Sequence, residues 1–349
     1  MFDTLSESVA QAISDFGTIK QAIIDKGVEV PSGTPTSQYG AKIGEIQSGS
    51  GDEEFIKMVE RSSTEITLPS GLTTIGNYTF YQYSNLTSVS IPNSVTSIGT
   101  QAFYYCTSLA LTSLPSGLTS IGTYAFSNCK NLALTSLPEG LTSIGYNAFN
   151  ECKNLALTSL PEGITSIEQK TFYNCTNLAL TYLPNGITSI KTEAFSRCTN
   201  LALTSLPEGL TSIKNSAFSS CTSLALTSLS EGLTSIESSA FAWCTNLALT
   251  SLPSGLTSIG LQAFYNCTNL ALTSLPEGLK NIDSGAFYNC TGLTEITFEG
   301  TPTSLNSNAF IYCTNLTTIR VPWAEGEVAG APWGATNATI VYNYTPETT

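Results

Sequence analysis

A chain of 349 residues with a net charge of −13 and no basic run has nothing with which to hold a phosphate backbone, so neither nucleic acid nor an anionic membrane surface is an expected partner. Apolar residues make up 41% of the chain, which argues against disorder, yet no stretch approaches the ~20 consecutive apolar residues of a membrane span, so no membrane insertion is expected. Histidine is absent, which removes Ser-His-Asp and Cys-His catalysis.

At the amino terminus Phe2, Leu5, Val9, Ile13 and Phe16, followed by Ile19 and Ile23, recur at three- and four-residue spacings. That spacing predicts an amphipathic helix, or a helix pair broken near Gly17, with Gly27 where it would stop. Ser37 can cap a third short helix showing Tyr39, Ile43 and Ile46 on one side. Residues 1–47 are read as a helical attachment or oligomerisation module, because so short a segment has too thin a core to stand easily without packing against another chain. The alternative is a small bundle with no partner. Met1 to Lys26 lacks a basic start and is interrupted by Asp3, Glu7 and Asp15, so it is not expected to act as a secretory signal. Such a product stays in the cell or leaves by lysis. Residues 48–54, with Ser48-Gly49-Ser50-Gly51, predict a flexible linker.

From residue 55 to 320 the chain repeats. Phenylalanine stands at 80, 103, 126 and onward to 310, always 23 residues apart, with no insertion across eleven copies. A count kept this strictly predicts a solenoid of eleven stacked coils, since a slipped residue would move every side chain off its ladder. In one copy Ile121, Ala125, Phe126, Cys129 and Leu132 fall at spacings of four, one, three and three, which predicts a short helical turn. The row that includes Asn85, Ser108, Asn131, Gly292 and Asn315 would end that turn in the left-handed conformation. Leu137-Pro138-Glu139-Gly140 reads as a strand end and turn, with Gly140 allowing a positive φ, and Leu141 to Ile144 as a second extended piece. The predicted fold is therefore an α/β repeat solenoid, short strands plus a helical turn in each coil, preceded by the helical module. Inner copies carry Leu132, Leu134 and Leu137, and a regular strand cannot point Leu134 and Leu137 the same way, so which of them is buried stays open. Phe55, Ile56, Met58 and Val59 are placed over the first coil and residues 321–349, with Trp323, Pro332 and Trp333, over the last.

All ten cysteines lie three residues after a Phe, from Cys106 and Cys129 to Cys313, with Tyr83 taking that place in the first copy. An even count could mean five disulfides. The repeat instead places each Cys on the inward stripe beside Phe, as Cys106 beside Phe103 and Cys129 beside Phe126, and so predicts reduced, buried thiols in the structural core. With no His and no CxxC pair, zinc is not expected, nor any other metal or cofactor. The carboxylates Glu139, Glu162, Glu208 and Glu277 recur in a solvent-facing turn one or more coils apart and do not form an acid/base pair. No enzyme activity is expected.

What varies between copies is the pair after each Phe, which should point outward. It supplies a candidate binding surface of Tyr81, Tyr104, Tyr105, Tyr173, Trp243, Tyr265, Tyr288 and Tyr312. Exposed Tyr and Trp combine contact area with a polar handle and suit protein or sugar ligands. The plainer reading of any one Tyr is that it packs neighbouring coils together. The Thr-Ser pairs, such as Thr112-Ser113 and Thr135-Ser136, form a second ladder read as a solvated face.

Ile98-Gly99-Thr100-Gln101-Ala102-Phe103-Tyr104-Tyr105-Cys106 and Leu86-Thr87-Ser88-Val89-Ser90-Ile91-Pro92 resemble the BspA-like class of leucine-rich repeats, over about Ile66 to Val321. The resemblance implies a leucine-rich-repeat stack on a bacterial surface protein engaged in adhesion. Ile23 to Gly27, Pro35 to Ile43, and in the tail Val321 to Gly326 with Ala331 to Ile340 resemble segments of tail proteins from phages and prophages of Gram-positive bacteria. Together these imply a tail-associated virion protein, made in the host cytoplasm, whose amino-terminal residues Phe2, Leu5, Val9, Ile13 and Phe16 dock on a tail or baseplate protein. Its solenoid would then meet a protein or glycan receptor on the bacterial envelope, and the chain could form a homo-oligomer. The alternatives are an adhesin outside any virion and a structural spacer.

Overall fold

In the computed structural model, which describes residues 63–68 and 70–345, the repeat winds into a parallel β-solenoid of about twelve turns. Two-residue strands recur at the Ser-Ile step of every coil, from Thr74–Ile75 and Ser97–Ile98 to Ser304–Leu305, each in parallel register with its equivalent one coil away where paired. A second face carries Glu65–Thr67 with Ser88–Ser90 at one end and Ser274–Leu275, Glu295–Phe298, Thr318–Arg320 and Thr339–Val341 at the other. At ~4.8 Å per stacked strand, the eleven Phe-bearing coils extend for roughly 50 Å.

The expected α/β character is corrected. No helix occurs among the described residues, and the segment around each Phe is a run of three overlapping turns. Gly122 O accepts the Ala125 N–H, Tyr124 O the Ser127 N–H and Phe126 O the Cys129 N–H, all three residues on. The intervening amides leave the coil: Tyr124, Phe126 and Asn128 N–H donate to Tyr146, Ala148 and Asn150 O of the next one, at 2.7–3.0 Å. A helix needs every amide bonded four residues back within its own segment. Here alternate amides are claimed by the neighbouring coil, so the apolar spacing reflects a path bent around a core. The left-handed residues also stand elsewhere than expected. They are the second after each Phe and, in all coils but the last, the second before it, such as Asn128 (φ 63°) and Tyr124 (φ 54°). The Asn131 row is not among them, and Gly140 has no positive φ. The expected helical module at 1–47 lies outside the described residues.

Inside, the eleven phenylalanines form one column, adjacent ring centroids 5.1–5.7 Å apart and planes within 17° of parallel. Beside it runs the cysteine column. All ten thiols are free and buried, and each Sγ–H donates to the carbonyl of the Phe one coil back at 2.9–3.0 Å, as Cys129 does to Phe103. Leu132, Leu134 and Leu137 are all buried: the inner L-A-L-T-S-L-P segment gives up regular strand geometry, bending at Thr135-Ser136 so that both later leucines reach the core.

The Ser-Ile ladder is interrupted once, between Ser143–Ile144 and Ser166–Ile167. Gly99, Gly122 and Gly145 follow the Ile in the coils before the break, and a Cβ on any of them would lie 2.5–2.7 Å from atoms of the previous coil.

Candidate binding surface

Each Phe points inward only because the turns on either side reverse the chain, and the same turns carry the next two residues along one edge of the solenoid, where Ser127, Ser196, Ala242 and Asn266 are buried and the rest are partly or fully exposed. Of the expected binding residues, Tyr105, Trp243 and Tyr312 are exposed (40%, 49% and 61%), and Tyr81, Tyr104, Tyr173, Tyr265 and Tyr288 are partly buried. Phe103, Phe126, Cys106 and Cys129 are fully buried in the core, and Phe2, Leu5, Val9, Ile13 and Phe16 lie outside the described residues. The second residue after Phe is left-handed in every coil, whether Asn, Glu, Arg or Trp243 (φ 64°). The fold imposes that conformation, so strain at Trp243 is no mark of function in itself. What informs is that a bulky aromatic occupies a position where Asn would cost less.

The edge aromatics do not form one row. They fall into two clusters. Towards the amino-terminal end Tyr81 and Tyr104 stack at 5.2 Å, Tyr105 lies against Tyr104 at 4.7 Å, and Tyr124 and Tyr146 continue the contact at 6.1 and 5.6 Å. Towards the other end Trp243 tilts over Tyr265 at 5.5 Å, Tyr265 stacks on Tyr288 at 4.4 Å, and Tyr312 meets Tyr288 edge-on at 5.0 Å. Rings stacked face to face along the axis use their faces on one another, so Tyr265 and Tyr288 present edges and hydroxyls. Trp243 and Tyr312, turned out of the stack, keep apolar surface for a ligand. Burial, reinforced by the neighbouring Tyr105, Tyr81 and Tyr124, raises the Tyr104 phenol above its ordinary value, so it is a neutral hydrogen-bonding group at physiological pH.

Between the clusters the edge is charged. Tyr173 sits between Lys170 and Arg197, each 5.6 Å from its ring centre, and Lys170–Glu193 and Lys214–Glu237 pair across coils at 3.4 and 2.7 Å. Tyr173 is thus engaged by cations of its own chain and joins neither cluster. Sequence reasoning followed only the two columns after Phe and missed Tyr78, Tyr124 and Tyr146, which stand two or three residues before it. Their signal was in the 23-residue frame, but a helical reading of that segment hid that they face outward.

The family model for the BspA type leucine rich repeat region matches residues 54–179, 130–248 and 212–325, six copies covering most of the chain. The chain belongs to the BspA-type leucine-rich-repeat family. Three solved structures illustrate the likeness. A leucine-rich repeat protein from Bacteroides ovatus is 25% identical to this BspA-type chain, with a TM-score of 0.50 over 82% of this chain and 85% of that one. A leucine rich cell surface protein from Faecalibacterium prausnitzii is 27% identical, with a TM-score of 0.46 over 78% and 91%. The pneumococcal vaccine antigen PcpA is 22% identical, with a TM-score of 0.43 over 76% and 69%. No curated protein matches this BspA-type chain.

Proposed function

We propose that this BspA-type chain is a non-enzymatic binding protein whose turn edge engages a polymer of the bacterial cell envelope. The observation that carries the reading is the carboxy-terminal aromatic cluster, where Trp243 and Tyr312 hold apolar surface in solvent. Large exposed aromatics on a rigid scaffold suit recognition, because little conformational entropy is lost when they bind. Whole-cell and glycan-array binding by the full chain tests it. Changing Trp243 and Tyr312 together to Ala should weaken attachment by tenfold or more, on the order of the ~2 kcal/mol of a binding hot spot; unchanged attachment would overturn the reading.

The finer reading places the protein on a phage or prophage tail, supported by the resemblance of Ile23 to Gly27, Pro35 to Ile43, and Val321 to Gly326 with Ala331 to Ile340, to tail-protein segments. Detection of the chain in purified tail particles tests that placement. Its presence on intact cells and absence from particles would favour an adhesin, the reading that family membership supports.

A further inference from the structure

We propose that the carboxy-terminal end of the aromatic edge holds a subsite for one neutral sugar ring, an inference that rests on the edge being the binding surface. A cavity of about 170 Å³ opens there between the last Phe-bearing coil and the capping turn, lined by Ile311, Tyr312, Cys313, Thr314, Gly334 and Thr336. It is smaller than the ~300 Å³ at which pockets begin to take drug-sized ligands, so it suits a single ring.

The cavity exists because the cap departs from the repeat. In the ten coils before it, the amide of the second residue after Phe donates to a carbonyl of the next coil, as Asn289 does to Ile311 O at 2.8 Å. In the cap, the carbonyl of Trp333 takes the Phe310 N–H and that of Gly334 takes the Thr336 N–H, and no carbonyl of the described cap takes the Tyr312 N–H. Gly334 (φ +88°) lies so close to Ile311 that a Cβ would meet its backbone N at 2.9 Å, which keeps this part of the cap down against the coil. The result is a hollow beside an amide donor, the exposed Thr314 and Thr336 and the exposed ring of Tyr312, over an apolar floor of Ile311 and Cys313.

A pyranose matches each part. Its C–H face covers the Tyr312 ring, a ring or substituent oxygen accepts the Tyr312 N–H, and its hydroxyls meet the threonines. No charged side chain lines the cavity, which favours a neutral sugar over an acidic one.

Saturation-transfer NMR on the full-length chain, with free glucose, galactose, mannose, N-acetylglucosamine and rhamnose in turn, tests the subsite. At least one should bind. Tyr312→Ala should weaken that sugar roughly three- to tenfold, the fold-change of one lost aromatic contact. Thr336→Val, which keeps shape and loses the hydroxyl, should weaken it too, and Tyr182→Ala, an exposed aromatic that belongs to neither cluster, should leave it unchanged. Failure of all five sugars to bind, or binding indifferent to both cavity variants, overturns the subsite. If cell attachment still falls with Trp243→Ala in that case, the edge stands without the subsite. A sugar that binds and responds to both cavity variants, in a chain that attaches to no cell, supports the subsite and removes the edge as an attachment surface.

Discussion

The cysteine column does more than fill space. Each thiol supplies a second donor to a Phe carbonyl that already accepts the amide three residues on in its own coil, as Phe126 O does from the Cys129 N–H and the Cys152 thiol. Burial pushes nine of these thiols well up from their ordinary value near 9, Cys313 to about 12, the neighbouring thiols adding to the effect in several. The unfolded chain loses these protons above about pH 9 while the folded chain keeps them. Stability is therefore full below that pH and falls as pH rises past it, by up to ~1.4 kcal/mol per pH unit for each thiol. Urea unfolding between pH 8 and 10.5 should show a steep loss of midpoint, shallower in a Cys221→Ala, Cys244→Ala double variant. At pH 7 Cys221→Ala alone should cost about 1–3 kcal/mol through the lost bond and cavity. Trp243→Asn should do the opposite to stability, raising it by roughly 0.5–1 kcal/mol because Asn tolerates the left-handed position, while cell binding falls. Thermal melts and a binding assay on the same sample check both halves.

At the scale of the element, the unit is a turn run that exists only against its neighbour. Amides that a helix would use internally become an inter-coil ladder, so coil spacing is set by what the backbone allows at closest approach. Gly122 marks such a place: a Cβ there would sit 2.7 Å from Gly99 C and Thr100 N, both backbone atoms that cannot swing aside. Gly122→Ala should destabilise by roughly 1–3 kcal/mol as the two coils part. Gly255→Ala, where nothing lies within 4 Å of the added methyl, should change the unfolding midpoint little. Equal effects at the two sites would show that coil approach is not what the glycine row serves. The 23-residue frame made the Phe and Cys columns legible in the sequence, whereas the helical reading failed because spacings of three and four describe a bent path as well as a helix.

For the molecule as a whole, stability is a chain of nearest-neighbour contacts, and the ends matter most. Trp333 closes one end, fully buried, its ring 6.0 Å from those of Phe298 and Trp323, its Nε1–H donated to Ala329 O and its carbonyl taking the Phe310 amide. Trp333→Ala should cost about 3–5 kcal/mol locally, and hydrogen exchange should show lost protection concentrated in the coils next to the cap. Loss spread evenly over all coils would mean that the solenoid unfolds as one unit. The division of the edge into two aromatic clusters flanking a charged centre also belongs to this scale, since it follows from which coils lie side by side.

By itself the sequence determined the 23-residue period, the inward Phe and Cys columns and the absence of His, because these depend on residue identity at a fixed spacing. Only the tertiary structure decided that the turns are not helical, that Leu134 and Leu137 are both buried, and which edge aromatics face solvent and which face one another. Those outcomes turn on hydrogen bonds and ring contacts made between coils 23 residues apart, and no local stretch of sequence carries a partner that distant.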